Sequence, residues 1–204
     1  MDVETSVRPP GLRPQLGRSP LPGGGLTVSR LRSPVGEILA ATDVRGAVRA
    51  IDFTDYEQRL IRLVRRHYGP AAVGEGPPPS DLAAALDDYF SDDMSGPARL
   101  PLAAHGSPFQ HRVWHALLEL PPGRTASYCW LAARINAPAA VRAVGLANGA
   151  NPIAIAVPCH RVVGASGSLT GYGGGLPRKD WLLRHEGVRP GAPPELRPPA
   201  APRE

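Results

Sequence analysis

The chain has 204 residues, 42% of them hydrophobic, which is enough to bury a core in one domain or in two small ones. It contains no run of about 18 apolar residues and no charged-then-apolar signal pattern, so no membrane partner or export is indicated, and a soluble, cytoplasmic protein is expected. The net charge of +5 is unevenly placed, because residues 26–103 hold nine arginines against eleven acidic residues, whereas residues 104–187 hold eight Arg and Lys against three. The basic second half favours a polyanion partner.

Residues 1–25 and 188–204 are rich in proline and lack apolar periodicity, so both are predicted to be disordered tails. Between them, residues 26–103 are interpreted as an α+β scaffold domain in which no residue cluster suggests chemistry. Its predicted elements are a hairpin over 26–41 that turns at 33–36, a third strand over 47–53, a helix over 56–68, a Gly/Pro break over 74–79 and a second helix from a Ser80 cap to Phe90.

Residues 104–187 form the second predicted domain, which is mainly helical. Ser107 and Gln110 match a capping box with Pro108 at the first helical position, so a helix is expected to run from there to just before Pro121. Residues 125–128 then cap a short helix that ends near Arg134.

A turn over 135–137 separates that short helix from a second one over 138–148, closed by Gly149, and this pair predicts a helix-turn-helix. The second helix consists largely of alanine and glycine, so its backbone could approach a duplex closely, and Arg142 stands out on it. The alternative is a small-residue helix packed inside the protein, with Arg142 in a surface ion pair.

Only two cysteines occur, which is too few for a disulfide framework or a four-thiolate zinc site, so special chemistry depends on a single thiol and no metal or cofactor is expected. The apolar run 153–157 predicts a buried strand whose end carries Cys159 beside His160. A free thiol is mostly protonated at neutral pH, so it needs a base such as His160. Adjacent side chains on an extended backbone point to opposite faces, which calls for a bridging water or a sharp bend.

The imidazole then needs an acceptor to orient it, and Glu186, at a predicted helix end, could supply the carboxylate. Thiol, water, imidazole and carboxylate would form a relay. The alternative is an inert buried cysteine next to a hydrogen-bonded loop histidine.

The glycine-rich loop 170–175 lets backbone N–H groups approach a flat ligand, with Tyr172 as a stacking wall. It lacks the strand-loop-helix context and the later acidic residue of a dinucleotide loop. His111 and His115 share a helix face but are interpreted as solvated, and Cys129 as a small packing residue.

Six sequence elements resemble those of the O6-alkylguanine-DNA alkyltransferase family in their residues, order and spacing. The match is close from Gly106 to Gly187 and looser over residues 26–103. The six elements are Pro158-Cys159-His160-Arg161-Val162, Ser127-Tyr128, the Arg142 helix, Asn151-Pro152, the Gly-Tyr-Gly loop and His185-Glu186-Gly187. The resemblance implies a ribonuclease H-like α/β domain at 26–103 and a winged helix-turn-helix-like domain at 104–187.

The resemblance also implies a one-time transfer of an alkyl group from O6-alkylguanine, and from O4-alkylthymine, in duplex DNA to Cys159 of a monomer. His160 and Glu186 would activate the thiol through water, Asn151 would brace the turn before it, and Tyr128 would aid base extrusion and donate a proton towards N3. The implied pocket residues are Pro158, Val162, Tyr172 and Gly173. The implied DNA contacts are Arg142, which fills the gap left by the flipped nucleotide, together with Tyr128, Ser127, Ala139 and Ala143.

This sequence departs from the family pattern at Gly173, where many relatives carry serine, so a hydroxyl donor is lost and larger alkyl groups are expected to fit. The zinc ligands and the cysteine-rich extension of some relatives are missing.

Three other functions remain as alternatives. A non-transferring binder of alkylguanine usually has its nucleophile replaced, whereas Cys159 is intact. A sequence-reading regulator is poorly served by a helix with few long polar side chains. A Cys-His hydrolase would leave Arg142 and Tyr128 unexplained.

Overall fold

A four-stranded sheet forms the first half of the chain in a computed structural model that describes residue 23 and residues 25–69, 73–91 and 93–196. Its strands lie in the order β3-β2-β1-β4, with the first three antiparallel and β4 parallel to β1. The strands are β1 (Leu26–Leu31), β2 (Ile38–Asp43), β3 (Val48–Phe53) and β4 (Val73–Glu75). The predicted hairpin and third strand are confirmed, while β4 lies partly in the segment that was expected to be only a break.

Two helices accompany this sheet, α1 (Glu57–Tyr68) and α2 (Ser80–Phe90). Helix α1 buries Leu60 and Val64, which lie four residues apart and therefore on one face. The prediction that Ser80 caps α2 was wrong: Pro79 holds the N-cap position, and Ser80 is already the first helical residue, with its hydroxyl directed to Asp81.

Four helices make up most of the second half: α3 (Pro108–Leu117), α4 (Tyr128–Arg134), α5 (Val141–Gly149) and α6 (Leu176–His185). The capping box before α3 is confirmed, since Gln110 N donates to Ser107 Oγ and Ser107 N donates to Gln110 Oε1. Ser127 Oγ accepts from Trp130 N and so caps α4. Helices α4 and α5 contact each other and are joined through a turn in which Asn136 has a left-handed conformation.

The structure corrects the limits of α5. Residues Pro138–Ala140 form a separate 3₁₀ turn, and the α-helix begins only at Val141. Gly149 was expected to close the helix, but it is itself the last helical residue. The residue that follows, Ala150, has a φ of −87° and is therefore not left-handed either.

The predicted strand over 153–157 is not formed. Only Ile153 makes a bridge, to Ile51 of β3, with Ile51 N donating to Pro152 O and Ala154 N donating to Ile51 O. The segment then folds into turns, because Val157 N donates back to Ile153 O. Two short strands, β5 (Ala126–Ser127) and β6 (Val162–Val163), pair in parallel.

One hydrophobic core continues across both halves of the chain, since the same cluster holds Phe53 and Tyr89 from the first and Trp114, Leu131 and Val157 from the second. Burial of this shared cluster fixes the sheet and α2 against the segment that carries the thiol.

The C-terminal tail starts later than expected, because Leu196 N donates to Thr125 O and the two segments pair there. The remaining tail predictions, for residues 1–22, 24 and 197–204, lie outside the described residues. Among the helices of the described part, none is long and apolar enough to cross a bilayer.

Candidate active site

Cys159 opens a 3₁₀ turn, Cys159–Arg161, at the end of the folded segment 151–158, and only 6% of its surface is exposed. Asn151 holds this segment in place. Its Nδ2 donates to Val157 O at 2.8 Å and to Ile153 O at 3.3 Å, and its Oδ1 accepts from Ile153 N. One side-chain amide thus replaces the ladder that a strand would have provided, which explains why the apolar run does not extend.

Ile155 lies inside the same segment with a φ of +67°. A β-branched residue is rarely found in the left-handed region, so the conformation stores strain that the surrounding packing must hold. Strained backbone of this kind often marks a functional turn.

The 3₁₀ turn places His160 next to Cys159 without an extended backbone, so the structure provides the sharp bend that the sequence left open. His160 Nε2 lies 2.9 Å from Glu186 Oε1, and both side chains are fully buried. The other ring nitrogen, Nδ1, is buried and has no hydrogen-bond partner among the described residues. A charged Glu186 accepts a hydrogen bond from Nε2–H, so the ring proton stays on Nε2 and the lone pair lies on Nδ1, where it can serve as a base.

Glu186, which follows α6, accepts hydrogen bonds from three side chains. Arg161 donates from Nε to Oε2 and from Nη2 to Oε1, each at 2.8 Å, and the Tyr89 hydroxyl donates to Oε1 at 2.8 Å. Burial by itself would raise the pKa of Glu186, but His160 and Arg161 outweigh it and hold the pKa far below its ordinary value. The carboxylate therefore stays charged.

Burial raises the pKa of the Cys159 thiol, an effect that the Asn151 side chain and the Lys179 ammonium partly oppose. The same burial lowers the pKa of His160 below its ordinary 6.5, although Glu186 acts against it. At neutral pH the resting pair is accordingly a thiol beside a neutral imidazole, and proton transfer must accompany attack by sulfur.

Lys179, to which the sequence gave no role, is a buried cation in this site. Its Nζ donates to the carbonyls of Val162 and Thr170, each at 2.6 Å, and so ties the turn after Cys159 to the glycine loop. Burial lowers the pKa of Lys179 to about 8. Lys179 is the only lysine in the chain, and this was the one sequence signal that could have pointed to a special role for it.

A cavity of about 100 Å³ opens beside the thiol. Its walls come from β3, α1, the end of α5 and the glycine loop, and include Asp52, Arg59, Gly149, Ala150, Asn151, Cys159, Tyr172 and Gly173. The Tyr172 hydroxyl is buried with no partner among the described residues, and its ring lies 6.4 Å from that of His160. Neither Pro158 nor Val162 lines the cavity, although both are buried immediately around Cys159.

The first half of the chain also contributes to the site, although no residue cluster in its sequence indicated this. Arg59 pairs with Asp52 through two hydrogen bonds and donates to Gly173 O at 2.5 Å, so it holds the glycine loop. Tyr89 reaches Glu186 from α2. Nothing in local sequence marked these contacts, because Gly173 lies 114 positions from Arg59 and Glu186 lies 97 positions from Tyr89.

The predicted DNA-facing residues lie around α5. Arg142, Ala143 and Ala139 are exposed, whereas Ser127 is buried as the cap of α4. Tyr128 is partly buried; the Thr170 hydroxyl donates to its hydroxyl at 3.5 Å, and a side chain at Gly145 would lie 3.8 Å from its ring. The C-terminal end of α5, at Gly149, borders the cavity that holds the thiol.

Two sequence interpretations were wrong. His111 is half-buried with its Nε2 fully covered, because its ring lies against Trp114 one helical turn away. Cys129 is exposed and does not pack. Within the described residues, no group of three histidine, cysteine or acidic side chains could hold a metal ion.

The chain matches known proteins over most of its length. Residues 108–188 match the family model described as 6-O-methylguanine DNA methyltransferase, DNA binding domain. A methylated-DNA–protein-cysteine methyltransferase of Salmonella typhimurium is 44% identical over 165 residues, which cover 79% of this chain and 96% of that protein. The chain belongs to the methylated-DNA–protein-cysteine methyltransferase family.

Solved methyltransferase structures share the mixed α and β fold. The O6-methylguanine methyltransferase of Mycobacterium tuberculosis is 40% identical, with a TM-score of 0.65 over 79% of this chain and 92% of that one. The structure of M. tuberculosis OGT in complex with DNA is 39% identical, with a TM-score of 0.66 over 78% of this chain and 92% of that one.

Replacing Glu186 by Gln should destabilise this methyltransferase by about 3 to 5 kcal/mol at pH 7, because Arg161 would lose its buried counter-charge. The depressed pKa of Glu186 stabilises the fold above the ordinary value of 4.5 and stops doing so as pH falls towards the folded pKa, so the difference from wild type should shrink below pH 4.5. Urea unfolding at several pH values measures both effects. Glu195→Gln, which removes an exposed partner of Arg124, is the control and should cost at most about 1 kcal/mol. Equal losses in the two variants would contradict the account.

Proposed function

We propose that this protein repairs DNA by transferring an alkyl group from O6-alkylguanine, and from O4-alkylthymine, in duplex DNA to Sγ of its own Cys159, once per molecule. The observation that carries the proposal is the buried thiol that opens onto a cavity beside a His160–Glu186 pair. Family membership supports it, because the relatives are named for methyl transfer from DNA to a protein cysteine.

The reaction is a displacement at saturated carbon. The thiol proton moves through a water molecule to Nδ1 of His160, and Glu186 stabilises the imidazolium that forms. Sulfur forms a bond to the alkyl carbon as the bond from that carbon to O6 breaks, and the electron pair leaves with the guanine. Tyr128 donates a proton towards N3, which improves the leaving group. The thioether that remains has no easy route back to a thiolate, so each molecule acts once.

The guanine is held by main-chain groups around the thiol. The carbonyls of Cys159 and Val162 accept from its exocyclic amine, Tyr172 contacts the ring and the Gly173 amide contacts O6. Lys179 already donates to Val162 O, but a carbonyl has two lone pairs and can accept a second bond. Pro158 completes the buried surroundings of the thiol.

A base inside a duplex can reach this cavity only after it is flipped out. Arg142 enters the minor groove and fills the gap, while the small residues Ala139 and Ala143 allow the backbone to come close. Tyr128 contacts the flanking backbone, whereas the buried Ser127 acts indirectly by capping the helix that begins at Tyr128. The net +5 charge of residues 104–187 supplies attraction for phosphates that weakens with salt.

The two halves of the chain form two different domains. Residues 26–103 form a ribonuclease H-like domain and residues 104–187 a winged helix-turn-helix-like domain, and the protein works as a cytoplasmic monomer. The strand order β3-β2-β1-β4 and the α4–α5 pair support this description.

Incubation with duplex DNA containing O6-methylguanine should add one methyl mass to Cys159 and then stop, as peptide mass spectrometry can measure. O6-benzylguanine should also label Cys159, since Gly173 places no side chain in the pocket. Cys159→Ala should bind DNA without any mass gain, whereas Cys129→Ser, which alters the other free thiol, should react normally. Continued turnover by the wild-type protein would indicate a hydrolase instead. Binding by the wild-type protein without any mass gain would indicate a protein that recognises alkylguanine but does not transfer the alkyl group.

Arg142→Ala should slow transfer from duplex DNA by about tenfold or more, because flipping a paired base costs a few kcal/mol that the intruding side chain offsets. Transfer from free O6-benzylguanine should not change, since no flipping is required. The matched control is Arg134→Ala on α4, an exposed arginine that pairs with Glu119. Equal slowing with both substrates would refute the assigned role.

A further inference from the structure

Tyr89 is a fully buried tyrosine on α2, and its hydroxyl donates to Glu186 Oε1 at 2.8 Å across 97 positions of sequence. We propose that Tyr89 is a positioning residue for alkyl transfer, which sets how strongly Glu186 holds the imidazole proton and thereby tunes His160 as the base for Cys159. The inference rests on the proposed function and assigns a part of the reaction to the first half of the chain.

The geometry around Oε1 carries the argument. This one oxygen accepts from His160 Nε2 at 2.9 Å, from Arg161 Nη2 at 2.8 Å and from the Tyr89 hydroxyl at 2.8 Å. Among the described residues, Oε2 accepts only from Arg161 Nε. Donors that share an oxygen compete for its electron density. Tyr89 therefore weakens the hold of Glu186 on His160, on the very atom that contacts the imidazole.

Tyr89 acts as a neutral donor throughout the working pH range, because burial and the adjacent Glu186 raise the pKa of its hydroxyl well above 10. Its ring is fixed by edge contacts with Phe90 and His185 at centroid distances of 5.1 and 5.4 Å. Arg161 donates hydrogen bonds to both oxygens of Glu186, so the carboxylate stays in place when the Tyr89 hydroxyl is removed.

The effect on the reaction follows from the charges around His160. The groups that face it, directly or through the carboxylate, are Glu186, Arg161, Lys179, Cys159, Tyr172 and Tyr89. Without the Tyr89 hydroxyl, Glu186 would bind the Nε2 proton more tightly and stabilise the imidazolium. His160 would then become protonated at higher pH and would be unable to accept the thiol proton there.

Single-turnover transfer from O6-benzylguanine should be measured against pH for wild type, Tyr89→Phe and Tyr68→Phe. In Tyr89→Phe the acid limb should move up by about one pH unit, the effect of one hydrogen bond to a charged group, so that the rate well below the limb falls about tenfold. The alkaline plateau should not fall below that of wild type. Tyr68→Phe removes a partly buried hydroxyl that donates to Ala103 O at 3.5 Å and also lies beside Arg49, with no hydrogen bond to Glu186 or His160 among those of the described residues, and it should leave the limb unmoved.

A second variant keeps the shape of the side chain, so that folding is not at issue. With 3-fluorotyrosine at position 89 the hydroxyl is a stronger donor, and the acid limb should move down. A rate lowered equally at every pH, or a limb that stays in place in both variants, would overturn the proposal and reduce Tyr89 to a packing residue. Absence of transfer in the wild type would instead refute the proposed function.

Discussion

A carboxylate removed from water remains charged only if donors replace its solvent, and Glu186 has such donors from His160, Arg161 and Tyr89. The rest of the site depends on this arrangement. The charged carboxylate fixes which imidazole nitrogen carries the proton, and that choice leaves Nδ1 free to receive the proton of a thiol whose pKa is raised by burial. A neutral Glu186 would leave both the imidazole and the Arg161 guanidinium without an anchor.

The two halves of the chain are coupled through this site. Tyr89 reaches the carboxylate, and Arg59 holds the glycine loop by its Gly173 carbonyl. Strand β3 also docks the segment before the thiol through Ile51. The first half, which the sequence presented as a scaffold, therefore shapes the pocket, even though Cys159 and helix α5 both belong to the second half.

The sequence predicted much of the fold, and it also predicted the contact between His160 and Glu186. The capping box at Ser107, the hairpin turn at residues 33–36 and the short helix that starts after Ser127 could be predicted directly, because capping and turn preferences act over a few positions. The conformation of the segment 153–157 could not be predicted in this way, since the side-chain amide of Asn151 overrides the strand preference of its apolar residues. Buried partners such as Lys179 and Tyr89 are determined by long-range contacts that no local pattern reports.

The tautomer of His160 tests the central claim most directly. Long-range ¹⁵N–¹H correlation spectra of the unreacted protein at pH 7, assigned with the help of a His160→Gln variant, distinguish a protonated from an unprotonated ring nitrogen. We expect a neutral ring with the proton on Nε2 and an unprotonated Nδ1. A proton on Nδ1, or an imidazolium at pH 7, would contradict it.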